Sequence, residues 1–190
     1  LCQFGDSPSR AGFIDLSAIV QASAENSVEA VRELLQQRPM LNLSRTLNFA
    51  MWHRGATAEM VGQLVDAKAD VNEQLRLPLR SMFGMAFFLH GLLYRWGVRR
   101  TTGTRIAYHS VGATPLMFAI IRGHFEGAAA LLVAKAQVDV PNARKKTALD
   151  FAQELGAPQF LMNALEGDLT VCNRMVSSAM ANRFLVSHVV

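Results

Sequence analysis

Apolar residues recur along this chain at helical spacing in short blocks, not in long runs. Leu116, Ala119 and Ile120 fall on one face of a helix, with Thr114 at the N-cap position, Pro115 at the first helical position and Gly123 at the end. Ala128, Leu131 and Leu132 give the next helix an apolar face, and its alanines let two short helices approach closely. Toward the C-terminus, Pro158–Ala164 completes a last pair. Val171–Leu185 reads as a terminal helix, with Val171, Met175, Met180 and Phe184 at roughly helical spacing. One block differs. A helix is expected over about 79–96, where Phe83, Phe87, His90 and Tyr94 line one face and Met82, Met85, Leu89, Leu92 and Leu93 another. A helix apolar all round calls for burial on several sides. Its uncharged stretch, Ser81–Tyr94, spans about 21 Å as a helix, against about 30 Å for a hydrocarbon core, so a simple transmembrane span is not expected.

The blocks repeat. Thr114-Pro115-Leu116-Met117-Phe118-Ala119 leads through Gly123-His124 to Leu131-Leu132, and 33 residues after Thr114 comes Thr147-Ala148-Leu149-Asp150-Phe151-Ala152. Ser17-Ala18-Ile19-Val20-Gln21-Ala22 leads to Leu34-Leu35, and Arg45-Thr46-Leu47-Asn48-Phe49-Ala50 leads to Leu64-Val65 and Ala69-Asp70-Val71-Asn72. This wording resembles the ankyrin repeat, T-P-L-H-x-A followed by G-H and a Leu-Leu pair. The histidine of that motif is replaced by Val20, Asn48, Met117 or Asp150, and Thr-Pro-Leu survives in the third copy alone. The resemblance implies one all-α domain over 1–190, a solenoid of helix-turn-helix repeats with short β-fingers. Repeats are expected at about 15–44, 45–72, 112–144 and 145–166, with a C-terminal helical cap over 167–190. Residues 73–111 interrupt the frame as an insertion or a degenerate repeat; the 69 residues from Arg45 to Thr114, close to two repeat lengths, favour the repeat, and composition favours an insertion. The resemblance also places Phe49, Trp52, His53, Phe118, Ile121, Arg122 and Phe151 on the concave groove, as a partner-binding surface. Such an aromatic stripe is not expected to stand bare; either the inserted helix folds back over it or a partner covers it.

Charge sharpens the view of the interruption. The whole chain carries 19 Lys and Arg against 15 Asp and Glu, a net +4 with a pI near 9.5. Residues 73–111 hold six arginines and one acid, Glu73, so the remainder is nearly neutral. The docking residues expected there are Met82, Phe83, Phe87, Phe88, Tyr94, Trp96, Arg95, Arg99 and Arg100. Flanking arginines with Tyr94 and Trp96 suit a membrane interface or an acidic protein surface. Arginine with aromatics also suits single-stranded nucleic acid, but the modest total charge argues against it.

Catalytic patterns are missing: no G-x-G-x-x-G, G-x-x-x-x-G-K, H-E-x-x-H or G-x-S-x-G occurs. His53, His90, His109, His124 and His188 lack metal-ligand spacing, so no metal or cofactor is expected. His124 holds the Gly-His position of a repeat, and His90 is expected as a hydrogen-bonded core histidine. Cys2 and Cys172 are too few for a disulfide framework. Asn42-Leu43-Ser44 matches a glycosylation sequon but reads as a finger-turn asparagine. Leu1 at the start is expected of a processed chain or a fragment, and no signal-peptide pattern follows it. The expectation is therefore a non-catalytic module that binds another protein within a larger complex through its groove, fingers and basic insert. The alternative is an accessory subunit of a membrane-bound complex, an organellar one included, docked through 82–96. An intracellular location is favoured, cytoplasmic or organellar.

Overall fold

The computed structural model describes residues 18–37, 42–43, 45–53, 56–77, 80 and 82–186, without the side chains of Phe83 and of residues 182–186. Cys2, Ser17, Ser44, Ser81 and His188, and the side chain of Phe184, lie outside the described residues. Eleven helices and no strand occur among those described. In chain order they are α1 (Ala18–Ala24), α2 (Val28–Gln37), α3 (Thr46–Trp52), α4 (Ala58–Asp66), α5 (Met82–Arg95) and α6 (Thr102–His109). There follow α7 (Pro115–Arg122), α8 (Phe125–Val133), α9 (Ala148–Leu155), α10 (Gln159–Leu165) and α11 (Thr170–Val186).

Local chemistry sets these bounds. The Thr114 hydroxyl accepts from the Met117 N–H at the start of α7, Pro115 takes the first position, and Gly123 ends the helix at φ 76°. Thr147 and Asp150 cap α9 reciprocally, and Gly156 closes it at φ 62°. The N-terminus of α4 draws on two sources. Thr57 accepts from Met60 N–H, and the Glu126 carboxylate on α8 accepts from Ala58 N–H at 2.9 Å.

Helices α1, α3, α7 and α9 pack side by side in that order, and α4, flanked by α2 and α8, continues with α10 as a second row. The stack therefore passes from α3 to α7 and from α4 to α8 without α5 and α6 entering it. Between the rows lie Ile19, Phe49, Met51, Met60, Leu64, Leu116, Phe118, Leu131 and Phe151, all buried. Gly127 marks the closest approach. A Cβ there would stand 2.7 Å from the Ala56 carbonyl oxygen and 2.8 Å from Met51 Sδ, so no larger residue fits without a shift.

Two features differ from expectation. The fingers form no strand among the described residues; single bonds tie loop to loop instead. Leu75 N–H donates to Ala113 O at 2.9 Å, Gly112 N–H to Leu75 O at 2.9 Å, and Ala143 N–H to Val111 O at 3.0 Å. The chain leaves this pairing after Leu75 for α5, so a ladder has no residues with which to continue. The terminal helix also does more than close one end. It packs against α10, α8 and α4, burying Cys172 and Val176 and bringing Met180 Cε to 3.2 Å from the Cβ position of Gly62. Short helices in a row leave an apolar seam at each junction, and a long helix laid across closes several at once.

Candidate functional site

Helices α5 and α6 form a tight pair because α5 turns glycine toward α6. A Cβ at Gly91 would stand 3.0 Å from Tyr108 Cα and 3.1 Å from its nitrogen. Between the helices, Gly97 takes φ 72°, Arg99 N–H donates back to Leu93 O at 3.2 Å, and Thr101 opens α6. Thr101 and Thr104 cap each other's backbone, and the Thr104 hydroxyl lies 2.8 Å from Arg99 O. This capping pair is the sequence signal for α6, which hydrophobic spacing alone does not show.

The pair lies over the groove. Phe87 meets the Trp52 ring edge-on at 4.7 Å, and Trp52 in turn packs on Phe49 at 5.3 Å and on Phe118 at 6.5 Å. Phe49, Phe118, Ile121 and Phe151, expected on an open groove, are instead buried in the core. Phe49, Phe118 and Phe151 lie between the helix rows, and the insert adds Phe87 against Trp52 and His109 against Phe151. Trp52 is half-buried, and only His53 and Arg122 of the expected groove set are exposed. Arg122 donates to the His53 carbonyl at 2.8 Å, holding a cation against the end of α3.

At the other end of the cover, His109 sits edge-on to Tyr108 at 4.9 Å, to Phe151 at 5.0 Å and to Tyr94 at 5.9 Å. It is 8% exposed, and its Nδ1 has no hydrogen-bond partner. Burial, then the nearby Arg144 guanidinium, pushes its pKa down to about 4, so it is neutral at pH 7. Arg144 itself lies over the Tyr108 ring at 3.5 Å and donates to Tyr108 O at 2.7 Å. Burial also lowers His53 and His124, with Arg122 adding to both. The histidine expected in the core, His90, is exposed on α5. Its position lies to the side of the line of Gly84, Phe87 and Gly91 that faces inward, which the all-apolar pattern did not reveal.

The opposite face of α5 is open. Met82, Met85, Leu89 and Trp96 recur at helical spacing and are all exposed, Met82 at 72% and Trp96 at 68%, with Val98 at 71% in the turn beyond. Arg80 stands at one end of this stripe and Arg95, Arg99 and Arg100 at the other, all exposed. Of the expected docking residues, Met82, Phe88, Trp96, Arg95, Arg99 and Arg100 reach solvent, whereas Phe87 and Tyr94 are half-buried and engaged in ring contacts inside the molecule. The side chain of Phe83 lies outside the described residues.

The described residues contain no cluster of His, Cys, Asp and Glu that could hold a metal ion. The cavity between α5 and α6, lined by Phe87, Gly91, Tyr108 and Arg144 among others, encloses about 40 Å³, room for water and not for a substrate. A more open, polar pocket of about 480 Å³ lies among Arg45, Asp70, Asn72, Glu73, Gln74 and Arg76. Burial raises the Cys172 thiol, which disfavours the reactive thiolate. No described helix is long and apolar enough to cross a membrane.

The ankyrin-repeat family model matches residues 111–146, the stretch that carries α7, α8 and the loop leading to α9. The chain carries an ankyrin repeat there. No curated protein matches it. Ankyrin repeats are protein-interaction modules, typically without catalysis, and the matched repeat is the one whose Thr-Pro-Leu start and Gly-His turn are intact. Beside that repeat the aromatic side chains are buried, and the accessible apolar surface lies on the back of the insert.

Proposed function

We propose that this protein is a non-catalytic adaptor whose repeat stack is the rigid carrier and whose α5 presents the docking face. One observation carries the reading: the apolar stripe Met82, Met85, Leu89 and Trp96 stands exposed between arginines on a molecule whose other large apolar side chains are mostly buried. A soluble fold gains nothing from such a face unless something seats on it. The chemistry demanded of that seat is apolar with an anionic rim. A partner protein held by the stack has a second contact available at the open edge of the groove, where His53 and Arg122 are exposed and Trp52 half-exposed. The accessory-subunit reading, docking within a membrane-bound assembly through 82–96, is the form of this proposal that the arginine placement favours.

The test replaces Met85 and Leu89 with glutamate in the full chain. Both side chains are exposed, so the thermal midpoint is expected to stay within about 1 °C, in keeping with surface substitutions that change stability by less than about 0.5 kcal/mol. The tagged variant is expected to leave the assembly that the unaltered chain enters in its own cells, as read by native gel mobility. Unchanged mobility with an intact fold would overturn the reading.

A further inference from the structure

Resting on the assignment of α5 as the docking face, we infer that its seat is an anionic lipid surface, on which α5 lies flat. The shape and charge of its outer face carry this. The outward stripe from Met82 through Met85 and Leu89 to Trp96 contains no polar side chain, and Ala86 between them is exposed as well. The cations stand toward its two ends, Arg80 before it and Arg95, Arg99 and Arg100 in and after its last turn, where long side chains lean out to headgroups while the stripe sits among acyl chains. A protein seat of this length calls instead for several hydrogen-bonding side chains along the contact to fix its register, and α5 offers only His90, at the side of the line.

Charge agrees. From Gln74 to Phe125 the chain has no Asp or Glu and seven arginines, so nothing in the insert repels an anionic surface. With 14 residues, α5 spans about 21 Å, too short to cross a bilayer and long enough to lie within one leaflet's interface. Its inner face is fixed to the stack through Phe87 on Trp52, so the helix reaches the membrane already folded and does not have to meet the cost of ordering there. Trp96, exposed at the end of the stripe, sits where an interfacial tryptophan belongs.

Trp52 and Trp96 are the two tryptophans of the chain, and only Trp96 is on this face. With Trp52→Phe as the background, vesicles of phosphatidylcholine containing phosphatidylglycerol are expected to shift Trp96 emission to the blue and to carry the protein down on sedimentation. Pure phosphatidylcholine is expected to do neither. Arg99→Gln and Arg100→Gln are each expected to weaken binding about fivefold, from roughly 1 kcal/mol per cation at the surface, and added salt is expected to weaken it further. Met85→Glu with Leu89→Glu is expected to abolish it. If Trp52→Phe loses the fold, Trp52 is kept and sedimentation alone is read.

Absence of vesicle binding would overturn the inference, as would equal binding to both lipids or burial of Trp96 by self-association at rising protein concentration. Should vesicles be ignored while the double glutamate variant still strips the chain from its cellular assembly, the lipid seat falls and the docking face stands. Should the variant change neither, both fall.

Discussion

The pairs α5–α6 and α7–α8 are built alike and used differently. Each joins two helices through a glycine-containing turn, opens its threonine-capped helix with a hydroxyl that accepts from the amide three residues on, and relies on one glycine for a close approach: Gly91 against Tyr108 in the first, Gly127 against Ala56 and Met51 in the second. The repeat pair has neighbours on both sides and buries nearly every residue of α7. The insert pair touches the stack on one face only. What differs is the number of covered faces, and that number turns the same kind of apolar helix into core in one place and into a docking surface in the other.

The sharpest way to test that contrast is to remove one large side chain from each pair. Phe118 is fully buried against Trp52, so Phe118→Ala is expected to cost about 3–5 kcal/mol through lost burial and the cavity left behind. Leu89, 55% exposed on the outer face, is expected to change stability by less than about 0.5 kcal/mol when cut to alanine. Urea midpoints measure both. Comparable losses would mean that the outer face of α5 is packed in solution and that the contrast is false.

The burial of Phe118 was not legible in its own repeat. Thr114, Pro115 and Gly123 announce their helix by local chemistry, because a cap, a fixed φ and a left-handed residue act within a few positions. The inserted helix expected over 79–96 is observed at Met82–Arg95, and the terminal helix expected over 171–185 at Thr170–Val186. Whether Phe118 faces water or another ring, by contrast, depends on Phe87 and Trp52, which the fold and not the spacing brings near. The same limit hid Tyr108, His109 and Arg144. No neighbour in sequence marks His109 as buried, since Phe151, Tyr94 and Asn142 reach it from three other elements or loops. The direction of α5 was equally ambiguous, because a helix apolar all round does not say which side meets the stack.

His109 gives the contrast a pH dependence of its own. Its folded pKa lies near 4 against an unfolded value near 6.5, so between these values the unfolded chain binds more protons and stability rises with pH. On acidification the contribution of the neutral ring is lost progressively below about pH 6.5 and is gone below about pH 4, roughly 3 kcal/mol in all. His53 and His124, both lowered by burial, act in the same sense. His109→Gln is therefore expected to flatten the slope of unfolding free energy against pH without removing it. A slope as steep as that of the unaltered chain would show that the aromatic cover over His109 is open to water.

The smallest effect separates the two pairs at their caps. Thr114 is buried, and its hydroxyl is the acceptor for Met117 N–H at 3.4 Å, so Thr114→Ala leaves a donor that water cannot reach. A cost toward the upper end of about 0.5–2 kcal/mol is expected. Thr104 is buried, but its N–H is capped at 3.3 Å by Thr101, which is exposed, so truncating that side chain opens the site to solvent and Thr101→Ala is expected at the lower end of that range. Amide hydrogen exchange gives the same comparison residue by residue: the Thr104 amide is expected to lose protection through local opening of α6, whereas the Met117 amide exchanges only as the stack as a whole unfolds. If both amides instead follow one global opening, the insert is as firmly part of the core as the repeat, and its exposed face is a property of α5 alone.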